Sequence, residues 1–118
     1  MPNKCRIGYR ASESLLVGLM LAMKKEACSP RKKSQWICSA IQQMLSLGAK
    51  QIIEENVFVG DRLNENTVGQ VLYLDDELSN AMNSMIFDLR RVDPLLEDIQ
   101  SVLIRAAIRR RLNETKNS

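Results

Sequence analysis

"KCRIGYRAS", residues 4–12, is the stretch of sequence that decides the fold. Its apolar and basic residues alternate, and successive side chains of a β-strand point to opposite faces. The apolar face would carry Cys5, Ile7, Tyr9 and Ala11, and the opposite face Lys4, Arg6 and Arg10. We therefore predict a strand with one buried face and one basic face. The basic face either points to water, as at many sheet edges, or contacts a negatively charged partner.

Two amphipathic helices are predicted to follow this strand. Residues 12–27 carry an apolar stripe at helical spacing, with Ser12 placed to cap the helix and lysines at its C-terminal end. Residues 28–45 carry a second stripe, after Ser29 as N-cap and Pro30 at the first helical position. The predicted order is strand, helix, helix.

The second half of the chain repeats this order. A strand is predicted over residues 69–74, and Asp75 is placed to cap the helix that follows. Asp93 and Pro94 then mirror the Ser-Pro start of the earlier second helix. The segment "SQWICSAI" (34–41) aligns with "SVLIRAAI" (101–108). Such similarity indicates one supersecondary unit used twice.

The repeat divides the chain into two units and a linker. The linker begins with apolar residues that could form a short helix and ends in the polar run "GDRLNENT" (60–67), which is typical of a loop. The predicted boundaries are 1–47 for the first, basic unit, 48–68 for the linker, 69–113 for the second unit, and 114–118 for a frayed tail.

Composition argues against several classes of protein. The 118 residues contain three cysteines without metal-binding spacing and no histidine, so we expect no metal site, no cofactor, no catalytic residue and no small-molecule substrate. No apolar run approaches 18 residues, and the first twelve residues are polar and basic. We therefore expect neither a membrane span nor a secretory signal. Free cysteines suit a reducing compartment, and we expect the protein in the cytoplasm.

Charge is distributed unevenly along the chain. Residues 1–50 contain nine Lys and Arg against two acidic residues, a net charge of +7. Residues 51–118 contain eight Lys and Arg against twelve acidic residues, a net charge of −4. This asymmetry favours a polyanionic partner that contacts mainly the first half.

Two strand-helix-helix units can close one core if their strands pair antiparallel and four helices cover the inner face. In this arrangement the sequence resembles the ribbon-helix-helix (Arc/MetJ-type) family of DNA-binding proteins. The resemblance rests on "RIGYRASESL" and "SQWICSAI" in the first unit and on "VLYLDDEL" and "SVLIRAAI" in the second. Two copies in one chain resemble the tandem form, which includes TraY-type relaxosome proteins of conjugative plasmids. The predicted fold is mainly α with a short antiparallel β-ribbon, as strand-helix-helix repeated twice.

The resemblance implies a sequence-specific protein that binds double-stranded DNA by placing its ribbon in the major groove. Its role would be transcription regulation, with plasmid or conjugative-transfer genes among the candidates. One alternative is an accessory protein of DNA transfer, and another is a protein-binding helical module without DNA affinity. The candidate base contacts are Arg6, Gly8, Arg10, Val71 and Tyr73. The candidate phosphate contacts are Lys4, Arg31, Lys32, Lys33 and Ser34.

The start of the second helix supports the phosphate contacts. Positive charge in a first helical turn opposes the helix dipole, at about 0.3–1 kcal/mol per residue. A phosphate bound at this helix start would make the same cations favourable. The corresponding turn of the second unit carries Asp93, Glu97 and Asp98, which repel phosphate. Residues 109–111, three arginines, are interpreted first as charges suited to a helix C-terminus and second as phosphate contacts.

Two assemblies remain open from sequence. In one, the chain's own strands pair. In the other, equivalent units pair between chains, which gives a homodimer or higher oligomer on DNA with Arg6 and Arg10 of both chains in one groove. The charge imbalance slightly favours the second, because pairing within the chain would bring the acidic helix start to the same DNA.

Overall fold

The computed structural model describes residues 4–54, 67–95 and 98–116. Its elements are β1 (Lys4–Ser12), α1 (Glu13–Lys25), α2 (Lys33–Leu45), α3 (Ala49–Glu54), β2 (Thr67–Asp75), α4 (Asp76–Val92) and α5 (Ile99–Lys116). A single 3-10 turn, Pro30–Lys32, leads directly into α2. The expectation of a mainly helical protein with a short antiparallel ribbon is confirmed.

β1 and β2 pair antiparallel along their whole length as a two-stranded sheet. The predicted alternation is confirmed, because Tyr9, Leu72 and Leu74 are buried under the helices while the intervening side chains are exposed. The two strands that pair belong to the same chain, as in the first of the two arrangements; association of chains on DNA stays a prediction.

The two halves of the chain share one core. α2 packs against α5 and also against α4 and β2, while α5 packs against α1 and β1. The fully buried large side chains come from both halves: Leu19, Met23, Ile37, Ile41, Met44, Ile52, Leu72, Leu89, Leu103, Ile104 and Ile108. Neither half covers its own strand alone.

The predicted helix caps at the two strand ends are confirmed. The Ser12 hydroxyl accepts from the backbone N–H of Leu15 at 3.2 Å, at the start of α1. The Asp75 carboxylate accepts from the backbone N–H of Leu78 at 2.7 Å, at the start of α4. Each strand therefore runs straight into a capped helix, and the direction of both first helices is fixed by the ribbon.

The predicted boundaries of α5 are wrong at both ends. Asp93 and Pro94 form a turn instead of a helix start, and α5 begins at Ile99. Asp98, immediately before Ile99, has a positive φ of 51°, which keeps the helix from extending back to Pro94. At the other end α5 continues to Lys116, past the end of the predicted helix at Leu112 and into the tail that was expected to fray, and an ion pair of Arg110 with Glu114 at 3.0 Å supports this last part.

Other expectations are met in part. Gly48 follows α2 with a positive φ of 82°, a conformation that glycine adopts without strain and that commonly ends a helix. The short linker helix is α3, but the polar part of the linker before residue 67 lies outside the described residues. The three cysteines are free and only half-buried. Within the described ranges, no helix has the length and apolar character needed to cross a membrane.

Candidate nucleic-acid interface

The exposed face of the ribbon brings together all five predicted base contacts. Arg6 lies opposite Tyr73, and Gly8 lies opposite Val71. Arg10 lies opposite Gly69. All these residues are exposed, with Val71 at 40% and Tyr73 at 48%. We call Arg6, Gly8, Arg10, Gly69, Val71 and Tyr73 the ribbon face.

Arg10 is held in place by a residue of the neighbouring strand. Its Nε and Nη2 atoms both donate to Thr67 Oγ1, at 3.2 and 2.9 Å. Both residues lie on the exposed side of the ribbon, one residue pair apart on their face. The guanidinium is therefore oriented along the ribbon and retains further N–H donors for a ligand.

Arg6 differs from Arg10 in this respect. Its side chain is exposed, and no hydrogen bond or ion pair joins it to any residue in the described part of the chain. The ribbon face thus carries one guanidinium with a fixed direction and one that can reorient. The Lys4 side chain, a predicted phosphate contact, lies outside the described side chains.

The start of α2 lies along the outer edge of β2. The Ser34 hydroxyl accepts from the backbone N–H of Tyr73 at 3.2 Å. Lys33 Nζ donates to Gln70 Oε1 at 2.7 Å, and partial burial lowers the pKa of this lysine. Two of the predicted phosphate contacts, Lys33 and Ser34, therefore bind the ribbon itself.

Two cations remain exposed at this edge. Arg31 and Lys32 lie in the turn that precedes α2, and Ser29 caps that turn by accepting from the backbone N–H of Arg31 at 3.3 Å. No side chain caps α2 itself at Lys32. The backbone N–H groups of Lys32 and Lys33 donate to the carbonyl oxygens of Ser29 and Pro30, so this edge offers a ligand the charge of its two exposed side chains.

The start of α5 lies along the edge of β1 and has the opposite character. Gln100 Nε2 donates to the carbonyl oxygen of Gly8 at 3.0 Å. Arg105, which is 2% exposed, donates through Nη1 to the carbonyl oxygen of Arg10 at 2.8 Å. Asp98 is exposed just before α5, and Glu97 lies outside the described residues. The acidic start of α5 therefore lies beside the basic strand β1, and the basic start of α2 lies beside the neutral strand β2.

The arginines at 109–111 do not end a helix, contrary to the first interpretation of them. Arg111 lies over the Trp36 ring at 4.2 Å from its centre, and its Nη1 atom donates to the carbonyl oxygen of Trp36 at 2.8 Å. Its Nη2 atom pairs with Glu26 at 3.2 Å. Arg111 thus joins α5 to α2 and to the end of α1. Its contact on α2 is Trp36, the only tryptophan of the chain.

Sequence reasoning missed four residues that shape the interface: Thr67, Gln70, Gln100 and Arg105. Thr67 falls within the predicted linker because it ends the polar run, although the β-branched pair Thr67-Val68 before a glycine is a strand signal. Arg105 could be found by its place in an otherwise apolar helical stripe, since a lone arginine there requires a buried acceptor.

The chain was compared with models of protein families, with curated protein sequences and with solved structures, and none of the three comparisons finds a match. In the described ranges, no group of three or more His, Cys, Asp or Glu side chains is arranged to hold a metal ion.

Proposed function

We propose that this chain is a sequence-specific double-stranded DNA-binding protein of the tandem ribbon-helix-helix type. The observation that carries the proposal is the ribbon face, where Arg6 and Arg10 stand exposed on a two-stranded ribbon whose other face is buried. A two-stranded ribbon fits the major groove of B-DNA, and arginine binds guanine O6 and N7 with two hydrogen bonds.

Apolar exposure on the same face supports base contact over contact with water alone. A strand that only blunts a sheet edge would carry polar residues outward, whereas Val71 and Tyr73 stand exposed beside the arginines. Valine can contact the methyl group of thymine in the major groove. Gly8 lies at the centre of the face. A Cβ atom added there would have the carbonyl oxygen of Gln70 as its nearest neighbour, at 3.8 Å. The absence of a side chain at this open position lets a base edge approach the backbone.

Two equivalent contacts support the tandem arrangement. Cys38 Sγ donates to the carbonyl oxygen of Tyr73 at 3.5 Å, and Arg105 Nη1 donates to the carbonyl oxygen of Arg10 at 2.8 Å. In the alignment of the two units Cys38 falls on Arg105 and Arg10 falls on Tyr73. The second helix of each unit therefore binds the strand of the other unit at the same place.

Affinity for the DNA backbone would come from the β2 side of the ribbon. Arg31 and Lys32 would contact phosphates of the groove wall that they face through their side chains. Such contacts release counterions and make binding depend strongly on salt. The biological role would be transcription regulation or an accessory role in DNA transfer, in the cytoplasm and without catalysis.

A second candidate function, a protein-binding helical module, has one observation in its favour. Val17, Met20 and Leu21 form an exposed apolar stripe on α1, at 59%, 44% and 63% exposure. The other helical methionines, at positions 23, 44, 82 and 85, are buried, so of the helical methionines only Met20 is placed to contact a partner helix or a second copy of the chain.

Selection of bound duplexes from a random pool tests the proposal. We expect an enriched motif, and a salt titration should show a steep loss of affinity for both the motif and a scrambled duplex, with a large ratio between them. Weak and equal binding of both duplexes, with no enrichment, would reject the DNA proposal and favour the protein-binding module.

A further inference from the structure

We infer that one chain recognises a non-palindromic DNA element in a single orientation, with guanines read by β1 and a thymine read by β2. The inference rests on the proposed function and specifies its substrate. It follows because the strand register and the alignment of the two halves place one pseudo-twofold axis at the centre of the ribbon face, where the two strands carry different residues.

A ribbon made of two equivalent strands presents a twofold-symmetric face. The two units here are aligned by their helix caps, Ser12 of the first and Asp75 of the second. This alignment places Gly8 on Val71, and the register pairs these same two residues across the ribbon. The pseudo-twofold axis therefore passes between Gly8 and Val71, at the centre of the ribbon face.

Every outward position next to this axis breaks the symmetry. The alignment places Arg6 on Gly69 and Arg10 on Tyr73, so neither guanidinium has an equivalent on the other strand. The central position itself holds Gly8 on one strand and an apolar side chain on the other. A palindromic DNA element would present the same base edges to β1 and to β2, but only β1 carries arginines that could bind them.

The chemistry of the two strands specifies the two halves of the element. Arg6 and Arg10 both belong to β1, so they reach bases along one side of the ribbon. Four residues of strand span about 13 Å, which corresponds to roughly three to four base pairs at about 3.4 Å each. We expect two guanines on one DNA strand at that spacing. Val71, between them, is placed for the methyl group of a thymine on the other strand.

Selection from a random duplex pool with the full-length chain tests this inference. The expected result is a non-palindromic motif bound by one chain, with the two guanines on the same strand. Replacing either guanine by 7-deazaguanine, which lacks the N7 acceptor, should weaken binding roughly ten- to hundredfold. Replacing the central thymine by uracil, which lacks the methyl group, should have a smaller effect.

A symmetrised variant provides the matched control. Gly69→Arg, Val71→Gly and Tyr73→Arg together give β2 the outward residues of β1. All three positions are exposed, and a Cβ atom added at Gly69 meets nothing within 4 Å. Each new arginine lies opposite Arg6 or Arg10, which lowers stability somewhat, so folding is checked by thermal melting. This variant should select a palindrome with guanines on both strands.

The possible results distinguish a failure of this inference from a failure of the proposed DNA-binding function. A palindromic motif selected by the wild-type chain would overturn the inference and leave sequence-specific DNA binding in place. The same motif selected by the wild-type and the symmetrised chains would also overturn it. No enrichment by either chain would reject both.

Discussion

Arg10 and Arg6 carry the same charge but have different surroundings on the ribbon face. Thr67 Oγ1 accepts two hydrogen bonds from Arg10, at 3.2 and 2.9 Å, while Arg6 has no such partner among the described residues. A guanidinium that is already oriented loses less side-chain entropy when it binds a base. Thr67 is therefore a positioning residue for Arg10.

The variant Thr67→Val tests this role. We expect a several-fold loss of discrimination at the base pair read by Arg10, with little change in affinity for a scrambled duplex, because the phosphate contacts remain. Thr67→Ser keeps the hydroxyl and should restore most of the discrimination. Dissociation constants on the selected duplex and on its single-base-pair variants measure this. Equal discrimination by wild type and Thr67→Val would show that the contact is incidental.

Tyr9 is 3% exposed, and its hydroxyl has no hydrogen-bond partner in the described structure. Burial raises the pKa of Tyr9 to about 12, from an ordinary value of 10.0. The folded state therefore favours the neutral phenol, and the stability that this provides is complete below pH 10 and is lost as the pH rises toward 12.

Tyr9→Phe should remove this dependence on pH. Because a buried hydroxyl without a partner costs about 1–3 kcal/mol, we expect the phenylalanine variant to be at least as stable as wild type at pH 7, and more stable at about pH 11. Urea denaturation at the two pH values measures the free energies of unfolding. A variant that is clearly less stable at pH 7 would mean that the hydroxyl has a partner.

At the scale of residues, sequence predicted which side chains face outward but not how they are held. The alternation in residues 4–12 is sufficient to place Arg6 and Arg10 on the exposed face, since a strand has a strict period of two. The bond from Arg10 to Thr67 depends on strand register, which no local pattern specifies.

At the scale of elements, the two second helices begin differently although both follow a proline. Pro30 opens a 3-10 turn that continues directly into α2, whereas Pro94 lies in a turn and α5 begins only at Ile99. Asp98, immediately before α5, has a positive φ of 51°, which stops the helix from extending backward. The Ser29 and Pro30 signals predicted the helical start before α2 correctly. The start of α5 depends on the backbone conformation of Asp98, which no sequence pattern predicts.

The basic turn before α2 gives a prediction at this scale. Lys32→Ala should weaken binding to all duplexes by a similar factor and reduce the slope of log affinity against log salt by about 1. Lys50→Ala, which removes an exposed lysine from α3, beyond the opposite end of α2, is the control with the same charge change and should alter the slope little. A slope unchanged by Lys32→Ala would mean that this turn points away from the DNA.

At the scale of the whole molecule, the two units should unfold together. α2 binds β2 and α5 binds β1, so each contact crosses between the halves of the chain, and Arg111 joins α5 to Trp36 and Glu26 of the first half. We therefore expect one cooperative transition in urea. Fluorescence of the single tryptophan reports on the first unit and circular dichroism on all helices, so the two curves should coincide. Separate transitions would show that the units are independent domains.

Sequence could not choose between pairing within the chain and pairing between chains, because either arrangement buries the same apolar faces. The charge argument favoured the second on the assumption that the acidic and basic helix starts would meet the same part of the DNA. In the structure they flank opposite edges of the ribbon, with the start of α2 beside Tyr73 and the start of α5 beside Gly8. Their charges would therefore face different walls of a groove that held the ribbon.

The most direct test of the account is the ratio of affinities for the selected and the scrambled duplex. It should be measured for wild type, for Arg6→Ala with Arg10→Ala, and for Lys24→Ala with Lys25→Ala, which removes the same charge at the end of α1. The account predicts that the ratio falls at least about tenfold in the ribbon variant and stays near the wild-type value in the α1 variant. An equal ratio in all three proteins would contradict base recognition by the ribbon face.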